Sequence, residues 1–318
     1  MPELPELEAL VRDMSPNLLG RTIVGVELHK EKLFSAAPGL SFENLCNRRI
    51  ERIWRRGKFT IWQLSDGLSL VVHLKLAGQM VHLDATGKEL AHGGHPVPMW
   101  GAPMPHKSSH VIFCLDDGSV VYLTDIRQFA RLHLLPQAEV EPLIRRQRIG
   151  VEPLTRKFTA AQFTEKLRRR SIPLKTTIMD QSVIGGVGNI YADESLWRAK
   201  LHPRRPANSL TDAEITRLHR AIRAVLDYAV REGAAFVPHG KAISDRAFPY
   251  CHGRAGSPCP RCHTIIQKEW VGGRGTHFCP RCQPSAVSRQ PSAFSRQQVG
   301  QAERAGSGQP NLRAAAES

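Results

Sequence analysis

The chain has 318 residues, 41% of them apolar, enough for two packed cores, so a globular enzyme of two domains is allowed. Its 44 Lys and Arg against 29 Asp and Glu give a formal net charge of +15, typical of chains that neutralise phosphates, although a solvated basic surface gives the same balance. No run of 18 apolar residues occurs, and the first residues are acidic where a secretory leader is basic. Neither a membrane-spanning helix nor such a leader is expected, and the chain reads as a cytoplasmic protein without a membrane partner.

In chain order, Leu7, Leu10, Val11 and Met14 fall at helical spacing behind Pro5, which a first turn tolerates, so the chain opens with a helix. Six β-like runs follow: Thr22 to His29, Arg49 to Trp54, Lys58 to Leu64, Ser69 to Leu74, His110 to Leu115 and Ser119 to Thr124. The Gly- and Pro-rich stretch from Gly87 to Pro105 predicts a long loop. After Pro136 the pattern turns helical. Gly185, Gly186 and Gly188 predict a tight turn, and Asn189 an N-cap for a short helix through Leu196 and Trp197. Thr211 and Glu214 form a capping box ahead of Ile215, Leu218, Ile222, Val225, Leu226 and Ala229, with Gly233 just past the end.

The fold expected is α+β. Residues 1–135 form an antiparallel β-sandwich with an N-terminal helix, 136–250 a helical domain and 251–283 a β-hairpin metal ribbon. The segment 284–318, rich in Ser, Gln, Ala, Gly and Arg, reads as a disordered tail.

Of the seven cysteines, Cys259 and Cys262 form one CxxC and Cys279 and Cys282 another, with 16 residues between. This is the spacing of a four-thiolate structural zinc site, and a ribbon of about 25 residues has too small a core to fold without the metal. One structural Zn2+ and no disulfides are expected. His252 and His263 are nearby alternatives, but sulfur already fills all four positions. Arg274, in Gly272-Gly273-Arg274-Gly275, stands where a hairpin tip reaches a groove or phosphate, and a solvated loop arginine fits the spacing equally well.

At the N-terminus, removal of Met1 ahead of the small residue Pro2 leaves a free secondary amine. An α-amino group titrates near ~8, so a usable fraction is neutral and nucleophilic at neutral pH. Its attack on a sugar C1′ gives an iminium, an electron sink for covalent catalysis. Glu3 and Glu6 flank it as candidate proton donor and helix-start carboxylate. Acidic residues complementing the helix dipole would look the same.

These segments, with Arg56-Gly57-Lys58, Asp180-Gln181 and the run Gly188-Asn189-Ile190-Tyr191-Ala192-Asp193-Glu194, occur in one order. Together, from Met1 to about Gln283, they resemble the formamidopyrimidine-DNA glycosylase and endonuclease VIII family. The resemblance implies a monomeric DNA glycosylase and AP lyase acting on damaged double-stranded DNA. Pro2 would be the Schiff-base nucleophile, Glu3 the general acid/base, Lys58 a hairpin lysine on the lesion phosphate and Glu6 a supporting residue. The turn ending in Asn189 resembles the family's helix-two-turns-helix, whose Asn and helix N-terminus bind a phosphate, with Lys175 placed to touch backbone. Arg127 would serve the orphaned base and Phe129 the wedge, and Leu76 would fill the void where the family often has Met.

Leu4 follows the branch that excises oxidised purines. The stretch from Gly233 to Arg254 is shorter than that branch's capping loop, which leaves an oxidised-pyrimidine or mainly abasic-site enzyme as the alternative. A non-catalytic binder of damaged DNA is a third reading, against which Pro2, Glu3 and Lys58 stand intact.

Overall fold

The computed structural model describes residues 1–232 and 247–285. Most of the stretch from Gly233 to Arg254 and nearly all of the tail from 284 lie outside them. Helix α1, Leu4–Leu18, starts from Glu3 with a capping box closed by Glu6 and carries Pro5 in its first turn. It buries Leu7, Leu10, Met14 and Leu18, the stripe expected of its spacing.

Ten strands follow: β1 Thr22–Leu28, β2 Phe34–Ala36, β3 Arg48–Arg56, β4 Phe59–Leu64, β5 Leu68–His73, β6 Gly78–Leu83, β7 Glu89–Gly94, β8 Ser109–Leu115, β9 Val120–Asp125 and β10 Arg131–Pro136. They run in the order β2-β10-β5-β4-β3-β1-β8-β9-β6-β7. The two halves join through β1 and β3, where Thr22 pairs with Arg49. Every pairing is antiparallel except β10 with β2. Side chains of both halves and of α1 meet in one core that includes Ile23, Trp62, Leu70, Val111, Phe113 and Leu132, each aliphatic group worth about 1.5–3 kcal/mol of burial.

Part of the stretch read as a long loop is strand β7. Its glycines serve close packing: a Cβ on Gly93 would lie 2.7 Å from Leu10 Cβ of α1. Strand β6 escaped the alternation rule because it buries polar groups. Gln79 accepts from Thr124 and donates to the Pro98 carbonyl, and His82 Nε2 meets Ser119 Oγ, which gives these buried polar side chains hydrogen-bond partners.

The helical part comprises α2 Gln137–Arg146, α3 Ala160–Arg168, α4 Leu174–Met179, α5 Asn189–Ala199 and α6 Asp212–Arg231. Thr211 caps α6 with the expected box, and the stripe from Ile215 to Ala229 is buried. Helix α5 departs from expectation: its N-cap is Gly188, and Asn189 is already its first helical residue. A two-stranded ribbon, β11 Gln267–Val271 and β12 Arg274–Phe278, completes the described chain.

Residues 1–285 form one compact unit, and two contacts show how sheet and helices are locked. Leu4, from the first turn of α1, is fully buried within the helical core beside Ile184, Val187 and Tyr191. At the β3–β4 turn, Arg55 bridges Glu8 and Glu152, while Arg56 binds Glu152 and the carbonyls of Ile149 and Gly150.

Candidate active site

The insertion of Leu4 carries the chain's start to the junction between sheet and helices. Leu4 N–H donates to the Gly186 carbonyl at 3.0 Å. A Cβ on Gly186, at φ +88°, would come within 2.6 Å of Leu4, so glycine is required there for both conformation and approach. Pro2 and Glu3 are buried at this seam while Met1 stays exposed.

The Glu3 carboxylate accepts hydrogen bonds from the backbone N–H groups of Gly188 at 2.8 Å, Ile190 at 3.0 Å and Tyr191 at 3.4 Å. It fills the N-terminus of α5, where unpaired amides and the helix dipole favour an anion. Gly188 is again required, since a Cβ would fall 2.4 Å from Glu3 Cδ. The phosphate expected at this helix start would therefore meet amides already engaged by Glu3. Asn189 is partly buried beside them, and its Oδ1 has no hydrogen-bond partner.

Glu6 accepts from the Glu3 N–H at 2.7 Å and from the Tyr191 hydroxyl at 2.5 Å. Burial, and the neighbouring Glu3, push its pKa up to about 7. Lys58 follows the tight turn at Gly57 and is 7% exposed. Burial lowers its pKa, the charges of Glu3 and Glu6 raise it, and Arg274 on the ribbon lowers it. The chain's amino terminus feels the same surroundings: burial lowers its pKa, opposed by Glu3 and Glu6 and assisted by Lys58 and Arg127. The structure thus gathers the N-terminus, Glu3, Glu6, Lys58, Arg127 and Arg274 around one seam. His73, in edge contact with Phe59, is depressed to about 3 by burial and by the nearby Lys75 and Lys58.

Leu76 and the Arg127-Phe129 segment lie on two turns at one end of the β6–β9 pair, where Gly78 faces Asp125. Asp125 is buried and accepts the N–H groups of Arg127, Phe129 and Ala130, folding the turn so that Arg127 and Phe129 point outward and exposed. Lys75 and Gln128 adopt positive φ, 53° and 56°, a strained backbone that such display requires.

Lys175 corrects the sequence reading. Its ammonium is fully buried, 2.7 Å from Asp193 Oδ1, and donates to the Gly275 carbonyl and Thr276 Oγ1. An ion pair sealed this way ties α4 and α5 to the ribbon and leaves no charge free for DNA.

Cys259, Cys262, Cys279 and Cys282 converge, with Sγ separations of 4.0 Å for Cys259–Cys282 and 3.4 Å for both Cys262–Cys279 and Cys262–Cys282. A tetrahedron with Zn–S of about 2.3 Å has edges near ~3.8 Å, so the four thiols fit one structural zinc. Cys259 also accepts from Trp197 Nε1 at 3.4 Å.

Glu152, Tyr191, Asp193 and Glu194 do essential positioning that sequence reasoning left unassigned. Glu194 accepts the N–H groups of Tyr250, Cys251 and His252 at the ribbon's entrance. The last three lay inside the motif around Asn189, and their acidic and aromatic character within a buried helix was the available signal.

The comparisons agree with this architecture. Residues 1–132 match the formamidopyrimidine-DNA glycosylase N-terminal domain, 149–239 its H2TH domain, and 256–284 the zinc finger found in FPG and IleRS. The formamidopyrimidine-DNA glycosylase of Heliobacterium modesticaldum is 39% identical over 89% of this chain and 100% of its own, and that of Symbiobacterium thermophilum 40% identical over 89% and 90%. The Lactococcus lactis FPG bound to Fapy-dG containing DNA superposes with a TM-score of 0.77 at 31% identity, and the same protein bound to an oxidised pyrimidine containing DNA with 0.76 at 32%. Each comparison covers 89% of this chain and 100% of that one. With three family domains in order and relatives matched over nine-tenths or more of their length, the chain belongs to the formamidopyrimidine-DNA glycosylase family.

Proposed function

We propose that the chain is a base-excision repair DNA glycosylase and AP lyase in which the Pro2 amine is the nucleophile. The observation that carries this reading is the burial of the chain's start against Glu3, Glu6 and Lys58 at the seam. Once Met1 is removed, burial and the charges of Lys58 and Arg127 favour the neutral amine. The amine forms an N–C1′ bond as the glycosidic C1′–N bond breaks and the base leaves. A proton delivered through Glu3 opens the sugar at O4′, giving an iminium. That electron sink allows loss of a C2′ proton with departure of the 3′ phosphate, then of the 5′ phosphate by δ-elimination, and water releases the sugar fragment.

Lys58 and Arg274 bear on the phosphate beside the lesion. Leu76, Arg127 and Phe129 occupy the space of the flipped base, which costs a few kcal/mol to unstack. Oxidised purines are the substrates favoured, consistent with Leu4 and with relatives named for formamidopyrimidine. Oxidised pyrimidines are the second reading, favoured by the short stretch from Gly233 to Arg254 and by the neighbour bound to such DNA. The same reading takes residues 1–135 as the catalytic sandwich domain, 136–250 as the helical DNA-binding domain and 251–283 as the zinc ribbon of a cytoplasmic monomer. No helix among the described residues is long and apolar enough to cross a membrane.

The test is borohydride trapping on duplexes bearing 8-oxoguanine, 5-hydroxyuracil or an abasic site, with mass mapping of the adduct. A cross-link at Pro2 is expected, and the best-trapped duplex names the lesion class. If Pro2→Gly and Glu3→Gln process damaged DNA as the parent does, the assignment of Pro2 and Glu3 is wrong, whereas no cross-link from zinc-loaded parent with Met1 removed puts the non-catalytic binder in its place.

A further inference from the structure

Asp193, His252 and His277 converge as a metal-ligating group outside the zinc site. Lys175 Nζ, 2.7 Å from Asp193 Oδ1, already supplies the cation that this carboxylate needs, so the cluster is a structural knot. The ribbon offers a different opportunity. Trp270 is the most exposed large apolar side chain among the described residues, at 67%. It stands opposite Gly275, so no side chain covers it from the paired strand, and the next pair along is Val271 with Arg274.

Lys268, two residues earlier and therefore on the same face of the strand, lies over Gly275, where a Cβ would come within 3.3 Å of its Cε. Arg204 clamps the backbone here, donating to the Trp270 carbonyl at 2.9 Å and to Glu269 at 2.8 Å. The indole is thus held rigidly outward among cations, on the same hairpin that brings Arg274 to the catalytic seam. Its immediate neighbours Lys268, Gly272 and Gly273 are themselves exposed, and none of them is apolar. A protein interface centres on a contiguous apolar patch, whereas a lone aromatic beside basic groups suits a sugar-phosphate strand.

We propose that Trp270 and Lys268 form an additional DNA contact, the indole lying on deoxyribose of the duplex that flanks the lesion and Lys268 neutralising an adjacent phosphate. The inference rests on the DNA-repair reading above. It would extend the interface beyond the flipped nucleotide and make binding depend on flank length.

The experiment measures Kd for zinc-loaded parent, Trp270→Ser, Trp270→Phe and Lys268→Ser. Two duplexes carry a tetrahydrofuran abasic analogue, one extended on both sides of it and one ending close to it. On the extended duplex Trp270→Ser is expected to weaken binding roughly three- to tenfold with unchanged salt dependence, while Trp270→Phe keeps most of the affinity. Lys268→Ser should reduce the slope of log K against log salt by about one. On the short duplex Trp270→Ser and the parent should agree. Equal affinity of Trp270→Ser and the parent for the extended duplex overturns the inference alone, and binding of neither duplex by the parent overturns the repair reading with it. Should Trp270→Ser lose its zinc, the folded Trp270→Phe variant and the Lys268→Ser slope decide.

Discussion

At the scale of single residues, Glu6 is the carboxyl whose protonation reports on the site. Its folded pKa of about 7 lies above the ordinary 4.5, so the folded protein binds this proton more tightly than the unfolded chain. The associated stability is fully present below pH 4.5 and is lost as pH rises through about 7. Glu6→Gln, which stays neutral, should leave stability nearly unchanged at acid pH. Above neutrality it should raise stability by at most about 3 kcal/mol, read by chemical denaturation at both ends of the range. Tyr191→Phe removes a donor that favours the ionised form and should move the acid limb of the pH–rate profile upward. Gly188→Ala gives a steric counterpart. Its Cβ would meet the Glu3 carboxylate, and excision should fall by about a hundredfold, as a displacement near 1 Å can produce, measured by single-turnover assay on zinc-loaded protein.

At the scale of elements, the ribbon is fastened to α4 and α5 by a wholly buried ion pair. Lys175→Met removes the cation at Asp193 Oδ1 and leaves that carboxylate only His252 and His277 on Oδ2; it should cost up to about 3–5 kcal/mol, visible as a lower Tm and faster zinc loss to a chelator. Some of this level was legible in advance. The four cysteines, the Thr211–Glu214 box and the stripe of α6 are local patterns, and each carries its own geometry. What stayed hidden depends on distant partners. The donors to Glu3 are amides 185 to 188 residues away, and Lys175 reads as a surface cation until Asp193 and Thr276 are in place. Glycines in β7 looked like loop residues because the sequence does not display the Leu10 side chain and the β6 backbone they accommodate.

At the scale of the whole molecule, the site belongs to no single part. The sheet supplies Lys58 and Arg127, the first turn supplies Glu3 and Glu6, α5 orients Glu3, and the ribbon supplies Arg274. Chelating the zinc should therefore unfold β11 and β12 and abolish lesion binding while the sheet core persists, since a ribbon this small has no core of its own. Near-ultraviolet circular dichroism of Trp62 and its surroundings, followed alongside DNA binding, separates these two losses.

The docking of Glu3 onto Gly188 also has a temporal side. A ribosome-bound chain carries its first three residues long before the amides that organise them exist, and long-range contacts of this kind form late. Until synthesis passes residue 191, the amides that hold Glu3 are not all in place and the seam cannot close.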